Sequence, residues 1–413
     1  MIMRMLLRER GYIMAVVATE DDVYIRLREF LDRLPSGLPS TESGVELRLL
    51  RKLFTPEEAE MAMQLRLFPE PASVIAARCG MDAGEAAERL ENMAVKGQVL
   101  RVWGGKERFY IALHMVVGIY EFHLGDIDKE MAEMMEEFIE AEEETPHFRK
   151  TAVEQFRVIP VNSAVEAVPE IAGYDRVREL VSKYDDIAVA NCICRREKGL
   201  VGEECDRPHE TCLTFGVGAQ LYIDNGIGRR IDTAEALRIL DMAEEAALVL
   251  QSSNNRDIIN ICCCCSCCCG ILRLLKMEQR PADHVHASFA AKVDPDLCTS
   301  CGTCLERCQM DAIAEDEDAM QVDLARCIGC GLCVSACSEG ALSMFAKPGV
   351  KAPPANYFHN LTTIARERGL PFGNLSPVMR FTRLPLFLKV LPYLYKTGLV
   401  TPVVNQLAKR GWV

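Results

Sequence analysis

Apolar residues recur every three or four positions along the first part of this chain, a spacing that predicts amphipathic helices. The first such stretch, residues 20–34, ends at Pro35-Ser36-Gly37, which contains two helix-stopping residues. Its apolar face consists of Val23, Leu27, Phe30, Leu31 and Leu34. We therefore expect a helical N-terminal segment over residues 1–45.

Three short helices and a hairpin are predicted within residues 46–125. Thr55-Pro56-Glu57-Glu58 is a typical helix start, because proline fits the first turn and Glu58 completes a capping box. The further predicted elements are helices over 71–79 and 83–96 and strands over 99–102 and 108–113. Together they resemble a winged helix-turn-helix, a shape that many DNA readers use.

Charge argues against DNA as the partner of this winged-helix-like unit. Residues 55–113 hold seven basic and nine acidic side chains. The third helix, which would be the recognition helix, carries Glu85, Glu88 and Glu91 against Arg89 and Lys96. Phosphate binding depends on lysine and arginine. We interpret the unit as an interaction or scaffold module, with DNA binding as the alternative.

An acidic helix and a linker are expected over residues 126–170. Residues 126–144 contain ten acids and one lysine. Their apolar residues fall on one side of a helix: Ile127, Met131, Met134, Phe138 and Ile139. We interpret this stretch as a solvated amphipathic helix that joins two domains. The alternative is an acidic docking face for a basic partner, including the basic tail of this chain.

Cysteines mark the middle of the chain, residues 171–285. A predicted helix over 175–183 and a buried strand over 187–190 lead into Cys192 and Cys194, which two arginines follow. Cysteines at the carboxyl end of a strand are placed as ligands or reactive groups. Cys205 and Cys212 are expected to lie in one loop, and a helix is predicted over 233–250.

Seven cysteines occupy eight positions between Cys262 and Cys269. Soft thiolates at this density favour soft metals or iron–sulfur clusters. We predict a third iron–sulfur cluster here; a zinc site and redox-active thiols are the alternatives. The candidate metal ligands are Cys192, Cys194, Cys205, Cys212, Cys264, Cys265 and Cys268. Cys268-Cys269-Gly270 is similar to the signature of heterodisulfide-reductase-type subunits, which implies disulfide reduction.

Two cysteine runs of identical spacing dominate residues 286–346. Cys298 to Cys308 and Cys327 to Cys337 each read C-x2-C-x2-C-x3-C, offset by 29 residues. Zinc sites do not need the extra C-x3-C unit, and disulfides this close would be strained. The duplicated spacing is typical of two [4Fe-4S] clusters.

This region resembles the bacterial two-cluster ferredoxins. The resemblance implies that Cys298, Cys301, Cys304 and Cys337 hold one cluster. It implies that Cys327, Cys330, Cys333 and Cys308 hold the other. Gln309 and Ser338 stand where that family usually has proline after the fourth cysteine.

Charge is divided unevenly along the chain. Residues 347–413 carry ten basic side chains and one acid, so this tail is +9, and the total of −13 leaves −22 for the rest. Lysines and prolines interrupt its apolar stretches, so we expect short helices that lie on another subunit, on this protein's acidic face or on an anionic membrane.

No signal peptide or membrane span is predicted, because charged residues interrupt the apolar N-terminus and no apolar run is long enough. Twenty cysteines without a secretory signal indicate a reducing compartment. We expect a cytoplasmic protein, or one peripheral to the inner membrane.

The sequence thus predicts an α+β, multi-domain iron–sulfur protein. Its parts are a winged-helix-like domain, a cysteine-rich α/β middle domain, a ferredoxin-like dicluster domain and a helical basic tail. It resembles iron–sulfur accessory proteins of anaerobes, and we expect it to pass single electrons to or from a redox partner protein or an oxidoreductase complex. One alternative is the catalytic subunit of a reductase, and a second is a redox-sensing transcriptional regulator.

Overall fold

Helices and antiparallel sheets make up the computed structural model, which describes residues 20–144, 154–165, 172–316, 318–370, 384–398 and 400–409. The helices are α1 (Glu20–Asp32), α2 (Val45–Leu53), α3 (Pro56–Ala62), α4 (Ala72–Cys79), α5 (Ala83–Val95), α6 (Tyr120–Phe122), α7 (Lys129–Glu144), α8 (Asn162–Val165), α9 (Val177–Val181), α10 (Ile193–Leu200), α11 (Val217–Asp224), α12 (Thr233–Glu245), α13 (Gly270–Met277), α14 (Thr303–Arg307), α15 (Leu332–Ser335), α16 (Tyr357–Glu367), α17 (Leu384–Lys396) and α18 (Val400–Lys409).

The strands form one six-stranded sheet, one three-stranded sheet and two pairs among the described residues. They are β1 (Glu70–Pro71), β2 (Val99–Gly104), β3 (Glu107–Ala112), β4 (Phe156–Ile159), β5 (Ile187–Asn191), β6 (Glu210–Phe215), β7 (Arg229–Ile231), β8 (Val249–Ser253), β9 (Asn260–Cys264), β10 (Phe289–Val293), β11 (Ile313–Asp316), β12 (Ala319–Val322) and β13 (Leu342–Ala346). This mixture of helix and sheet agrees with the predicted α+β class.

The predicted helices and hairpin of the N-terminal part are present. Thr55 accepts a hydrogen bond from the Glu58 amide, and the Glu58 carboxylate accepts one from the Thr55 amide, which completes the capping box of α3. Asp82 caps α5 through the amides of Gly84 and Glu85. Strands β2 and β3 pair antiparallel, and β1 joins the outer side of β3.

Helix α7 is more than a connection between domains. The predicted apolar side of this acidic helix is buried throughout: Ile127, Met131, Met134, Phe138 and Ile139. The helix packs against α2 of the N-terminal part and against α10 and α13 of the middle part. Buried apolar area on both sides therefore fixes the N-terminal part against the cysteine-rich part.

The middle sheet has the order β4-β8-β9-β6-β5-β7, and every neighbouring pair is antiparallel. The prediction of an α/β middle domain was wrong in this respect, because parallel strands need crossover connections that this sheet lacks. Cys212 lies on β6, between β5 and β9, and not in the predicted loop. The predicted helix over 233–250 ends at Glu245, since Ala247 adopts a positive φ and strand β8 follows.

The two faces of the middle sheet have different neighbours. Ile187, Val189 and Cys263 belong to the core that includes α9 and α12. Ala188 and Ala190 point the other way and pack in the core of the N-terminal part. Cys212 and Cys262 are register partners, so they share one face. The cysteines of β9 are therefore divided between the two faces.

The ferredoxin-like part repeats one small arrangement. A short helix begins one residue before the third cysteine of each run: Cys304 lies in α14 and Cys333 in α15. Gly331 has a φ of +79°, and a Cβ there would lie 2.5 Å from the Cβ of Ala164. Only glycine fits this backbone and this close approach. The second cysteine run therefore packs directly against α8 of the middle part.

The basic tail packs on the N-terminal part of its own chain. Leu391 of α17 is fully buried against Val102, Phe109 and Ile111 of the β2–β3 hairpin. The Tyr395 hydroxyl donates to the Pro69 carbonyl over 2.9 Å. None of the described helices is long and apolar enough to cross a membrane.

Candidate metal centres

Eighteen of the twenty cysteines fall into four groups, and two lie outside them, Cys79 in α4 and Cys263 in the core. The groups are named by their place or by their number of thiols. The outer ferredoxin group is Cys298, Cys301, Cys304 and Cys337. The inner ferredoxin group is Cys308, Cys327, Cys330 and Cys333. The four-thiol group is Cys205, Cys265, Cys267 and Cys268. The six-thiol group is Cys192, Cys194, Cys212, Cys262, Cys264 and Cys269.

The outer ferredoxin group surrounds one cavity of about 20 Å³. Cys301 is exposed, and the Met320 amide lies 3.4 Å from Cys298 Sγ as a hydrogen-bond donor. A hydrogen bond with Thr303 lowers the pKa of Cys301. Four thiols around a cavity, with donors aimed at sulfur, fit a [4Fe-4S] cluster, whose potential such hydrogen bonds tune.

The inner ferredoxin group lies deeper. Burial raises the pKa of Cys330 to about 12, and its thiol interacts electrostatically with those of Cys308 and Cys327. Cys333 interacts with all three and also with Cys304 of the outer group, so the two groups are neighbours. The Ala312 amide lies 3.3 Å from Cys308 Sγ. This group also fits a cluster of thiolate ligands, and two of its cysteines, Cys327 and Cys333, are buried.

The four-thiol group is compact. Its four sulfur atoms all lie within 4.8 Å of one another. The separation between Sγ atoms is 3.7 Å for Cys205 and Cys267, 4.0 Å for Cys205 and Cys265, and 3.6 Å for Cys267 and Cys268. Three of these residues come from the turn between β9 and α13, and Cys205 comes from the loop before β6.

The six-thiol group forms a chain of sulfur atoms. Neighbouring thiols lie within hydrogen-bonding reach of each other, in the order Cys212, Cys262, Cys264, Cys269, Cys194 and Cys192. Interaction between neighbours lowers the pKa of Cys262, Cys269 and Cys192. It raises the pKa of Cys212, Cys264 and Cys194. The group is therefore an extended arc.

Two helix N-termini and one face of the sheet bring the thiols of this arc together. Cys192 is the N-cap of α10 and Cys269 the N-cap of α13, positions at which backbone amides stabilise a thiolate. Cys212 and Cys262 face each other across two strands. The Gln251 side-chain amide donates to Cys269 Sγ over 3.6 Å. The N-termini of α10 and α13 and one face of the sheet therefore all contribute thiols to the same group.

A cavity of about 110 Å³ lies inside the arc and is lined by all six thiols. The N-terminal part forms its opposite wall, through Tyr120 and Glu121 and through Met135, Phe138 and Ile139 of α7. Burial raises the pKa of Glu121 and of Glu197, which also lines the cavity, to about 8. Both carboxyl groups are therefore protonated at neutral pH.

Arg195 lies between the four-thiol and six-thiol groups. Its buried guanidinium donates to the Pro208 carbonyl, the Thr211 hydroxyl and the Cys263 carbonyl over 2.8–2.9 Å. Burial alone lowers the pKa of Arg195, but attraction to the sulfur groups of Cys192, Cys265 and Cys264 outweighs it and raises the pKa above its ordinary value. The arginine thus supplies positive charge where sulfur ligands accumulate.

The structure separates the seven predicted ligands of the middle part into two places. Cys192, Cys194, Cys212 and Cys264 belong to the six-thiol group. Cys205, Cys265 and Cys268 belong to the four-thiol group. Sequence reasoning left out Cys262, Cys267 and Cys269. The alternation of strand β9 was the available signal, because it places Cys262 and Cys264 on one face and Cys263 on the other.

Comparison with known proteins agrees with the geometry of the ferredoxin-like part. The family model described as a 4Fe-4S dicluster domain matches residues 297–342. The C-terminal part of the chain therefore contains a ferredoxin-like iron–sulfur domain, which supports an iron–sulfur electron-transfer function. No curated protein and no solved structure shows significant similarity to the chain.

Proposed function

We propose that the chain passes single electrons between an external redox partner and the middle part, through clusters held by the outer and inner ferredoxin groups. Each [4Fe-4S] cluster, when bound, takes up or releases one electron. The observation that carries this proposal is the order of the thiol groups from the surface to the interior. Cys301 is exposed, Cys327 and Cys333 are buried, and the inner group packs on the middle part.

The surface around Cys301 suits contact with a redox partner. Leu297 and Leu305, beside two cysteines of the outer group, are 50% and 46% exposed. Glu306 and Glu339 are exposed at the same surface. Exposed apolar side chains surrounded by charge mark sites of protein interaction. A partner with a basic face would complement these carboxylates.

A direct hydrogen-bond connection leads from the inner group into the middle part. Gln309, next to Cys308, is buried. Its side-chain oxygen Oε1 accepts hydrogen bonds from the backbone amide and the hydroxyl of Ser266, over 2.9 and 3.1 Å. Ser266 lies between two cysteines of the four-thiol group. The glutamine that replaces the usual proline therefore joins the two cysteine-rich parts.

The six-thiol group is the proposed site of a third iron–sulfur cluster. Its sulfur atoms are spread along an arc around a cavity, so they suit several metal ions better than one. Buried donors on Gln251 and Asn260 reach two of the sulfurs, over 3.6 and 3.5 Å. Such hydrogen bonds and burial are the means by which a protein sets cluster potentials.

A matched pair of variants tests the ferredoxin ligand sets. We expect Cys308→Ser to alter the signal of the inner cluster and Cys301→Ser to alter that of the outer cluster, because each removes one thiolate from one set. The measurement is electron paramagnetic resonance during a potentiometric titration of the full chain. If both variants changed the same signal, the division into outer and inner sets would be wrong. If the wild-type protein gave no one-electron signals, electron transfer itself would be excluded.

Reduction of a small substrate is the second candidate function, and the acids in the 110 Å³ cavity favour it. Reduction of a disulfide consumes two electrons and two protons and yields two thiols. Glu121 lines this cavity, and burial raises its pKa to about 8, so it can supply a proton near neutral pH. DNA binding is not proposed, because α17 covers part of the hairpin and α5 presents glutamates.

The pH dependence of substrate reduction tests this second function. With 2-hydroxyethyl disulfide as the probe, we expect reoxidation of the reduced protein to slow as the pH rises through about 8, where Glu121 loses its proton. Glu121→Gln should react slowly at every pH, and Glu133→Gln, at an exposed position of α7, should match the wild type. Absence of any disulfide-dependent reoxidation would leave the electron-transfer function standing and refute the reductase.

A further inference from the structure

The four-thiol group has the dimensions of a site for a single metal ion. Four sulfurs at about 2.3 Å from one tetrahedral ion lie about 3.8 Å from each other, and no two are more than about 4.6 Å apart. The separations of 3.6, 3.7 and 4.0 Å between its Sγ atoms match this spacing. In a [4Fe-4S] cluster each thiolate binds a different iron, which holds the sulfurs farther apart.

We propose that Cys205, Cys265, Cys267 and Cys268 bind one zinc ion, in a site separate from the six-thiol group. Four thiolates without an open position are the ligand set of a structural zinc site. Among divalent ions of this kind, zinc binds such ligands more tightly than iron does. A disulfide does not explain the group, because bonded sulfurs lie about 2.05 Å apart.

Burial and charge support this assignment. Cys205, Cys265 and Cys268 are buried and Cys267 is exposed, so the ion would sit just below the surface with a path of entry. Four thiolates and one divalent ion together carry a net charge of −2. The Arg195 guanidinium is attracted to Cys265 and hydrogen-bonds with it, which offsets part of that charge.

The position of the ion in the fold gives it a structural role. It ties the loop that carries Cys205 to the turn between β9 and α13. Cys264 and Cys269, which flank that turn, both line the 110 Å³ cavity. Ser266, within the turn, hydrogen-bonds with Gln309 of the ferredoxin-like part. One ion thereby fixes a turn that touches two other thiol groups.

Metal analysis of the full chain, purified without oxygen, tests the zinc site independently of the proposed electron transfer. We expect about one zinc per chain in addition to iron, and X-ray absorption at the zinc edge showing four sulfur neighbours at about 2.3 Å. Cys267→Ser and, from the other loop, Cys205→Ser should each lose most of the zinc. Cys79→Ser, outside every group, should retain it.

Two results would overturn the proposal. One is wild-type protein without zinc, including protein whose four-thiol group holds iron. The other is zinc that remains bound in both Cys267→Ser and Cys205→Ser. The absorption spectrum of the wild-type protein decides the matter even if both variants fail to fold, because it reports the number and kind of ligands directly.

Discussion

Replacing Cys192 and Cys194 together with serine should reduce the iron content from about twelve to about eight atoms per chain, as the loss of one of three [4Fe-4S] clusters requires. Both residues end the sulfur arc at the start of α10, and Cys194 links Cys192 to Cys269. Serine removes the thiolates while keeping a similar size. Iron and acid-labile sulfide, measured on protein purified without oxygen, give the result.

The Cys79→Ser variant is the control for this iron measurement, since Cys79 lies in α4, outside every thiol group. It should keep the full iron content. Eight irons in both the wild type and the double variant would show that the six-thiol group holds no cluster. The two ferredoxin clusters would then remain, and the middle thiols would need another explanation.

Arg195→Leu should be the most destabilising single substitution near the thiol groups, at about 3–5 kcal/mol of the free energy of unfolding. Leucine would leave three buried acceptors without their donor and would remove the positive charge that faces the thiolates. Arg195 as a whole is 1% exposed, so water cannot take the place of its guanidinium. Thermal unfolding and the rate of iron release, both followed without oxygen, measure the effect.

The neighbouring Arg196→Leu is the matched control, because Arg196 is exposed and donates a long hydrogen bond of 3.4 Å to the Gly125 carbonyl. We expect a change within about 0.5 kcal/mol. If the two substitutions lowered the free energy of unfolding equally, then the loss of stability would come from helix α10 as a whole and not from the buried guanidinium.

Local signals in the sequence were sufficient for much of the fold. The capping box at Thr55 and the apolar side of α7 depend on residues a few positions apart, so periodicity and capping rules predict them. The ferredoxin spacing is equally local. Each run carries three cysteines within seven residues, and the family match over residues 297–342 supports the domain that the spacing predicted.

The middle part depends on contacts between distant residues, and there the sequence was less informative. Cys205 meets Cys265 across 60 positions, and Cys212 meets Cys262 through the pairing of β6 with β9. Strand register decides which thiols share a face, and a single sequence does not reveal register. The seven candidate ligands were therefore predicted as one set, and the structure divides them between two groups.

The burial of the six-thiol cavity beneath α7 constrains how the protein is made. Helix α7 precedes the middle part in the chain, so it leaves the ribosome before α10 and α13, against which it packs. Met135, Phe138 and Ile139 of α7 form one wall of the cavity, and all six thiols lie on elements made later. A complete site for a cluster therefore exists only after the middle part has been made and has folded against a helix that is already present.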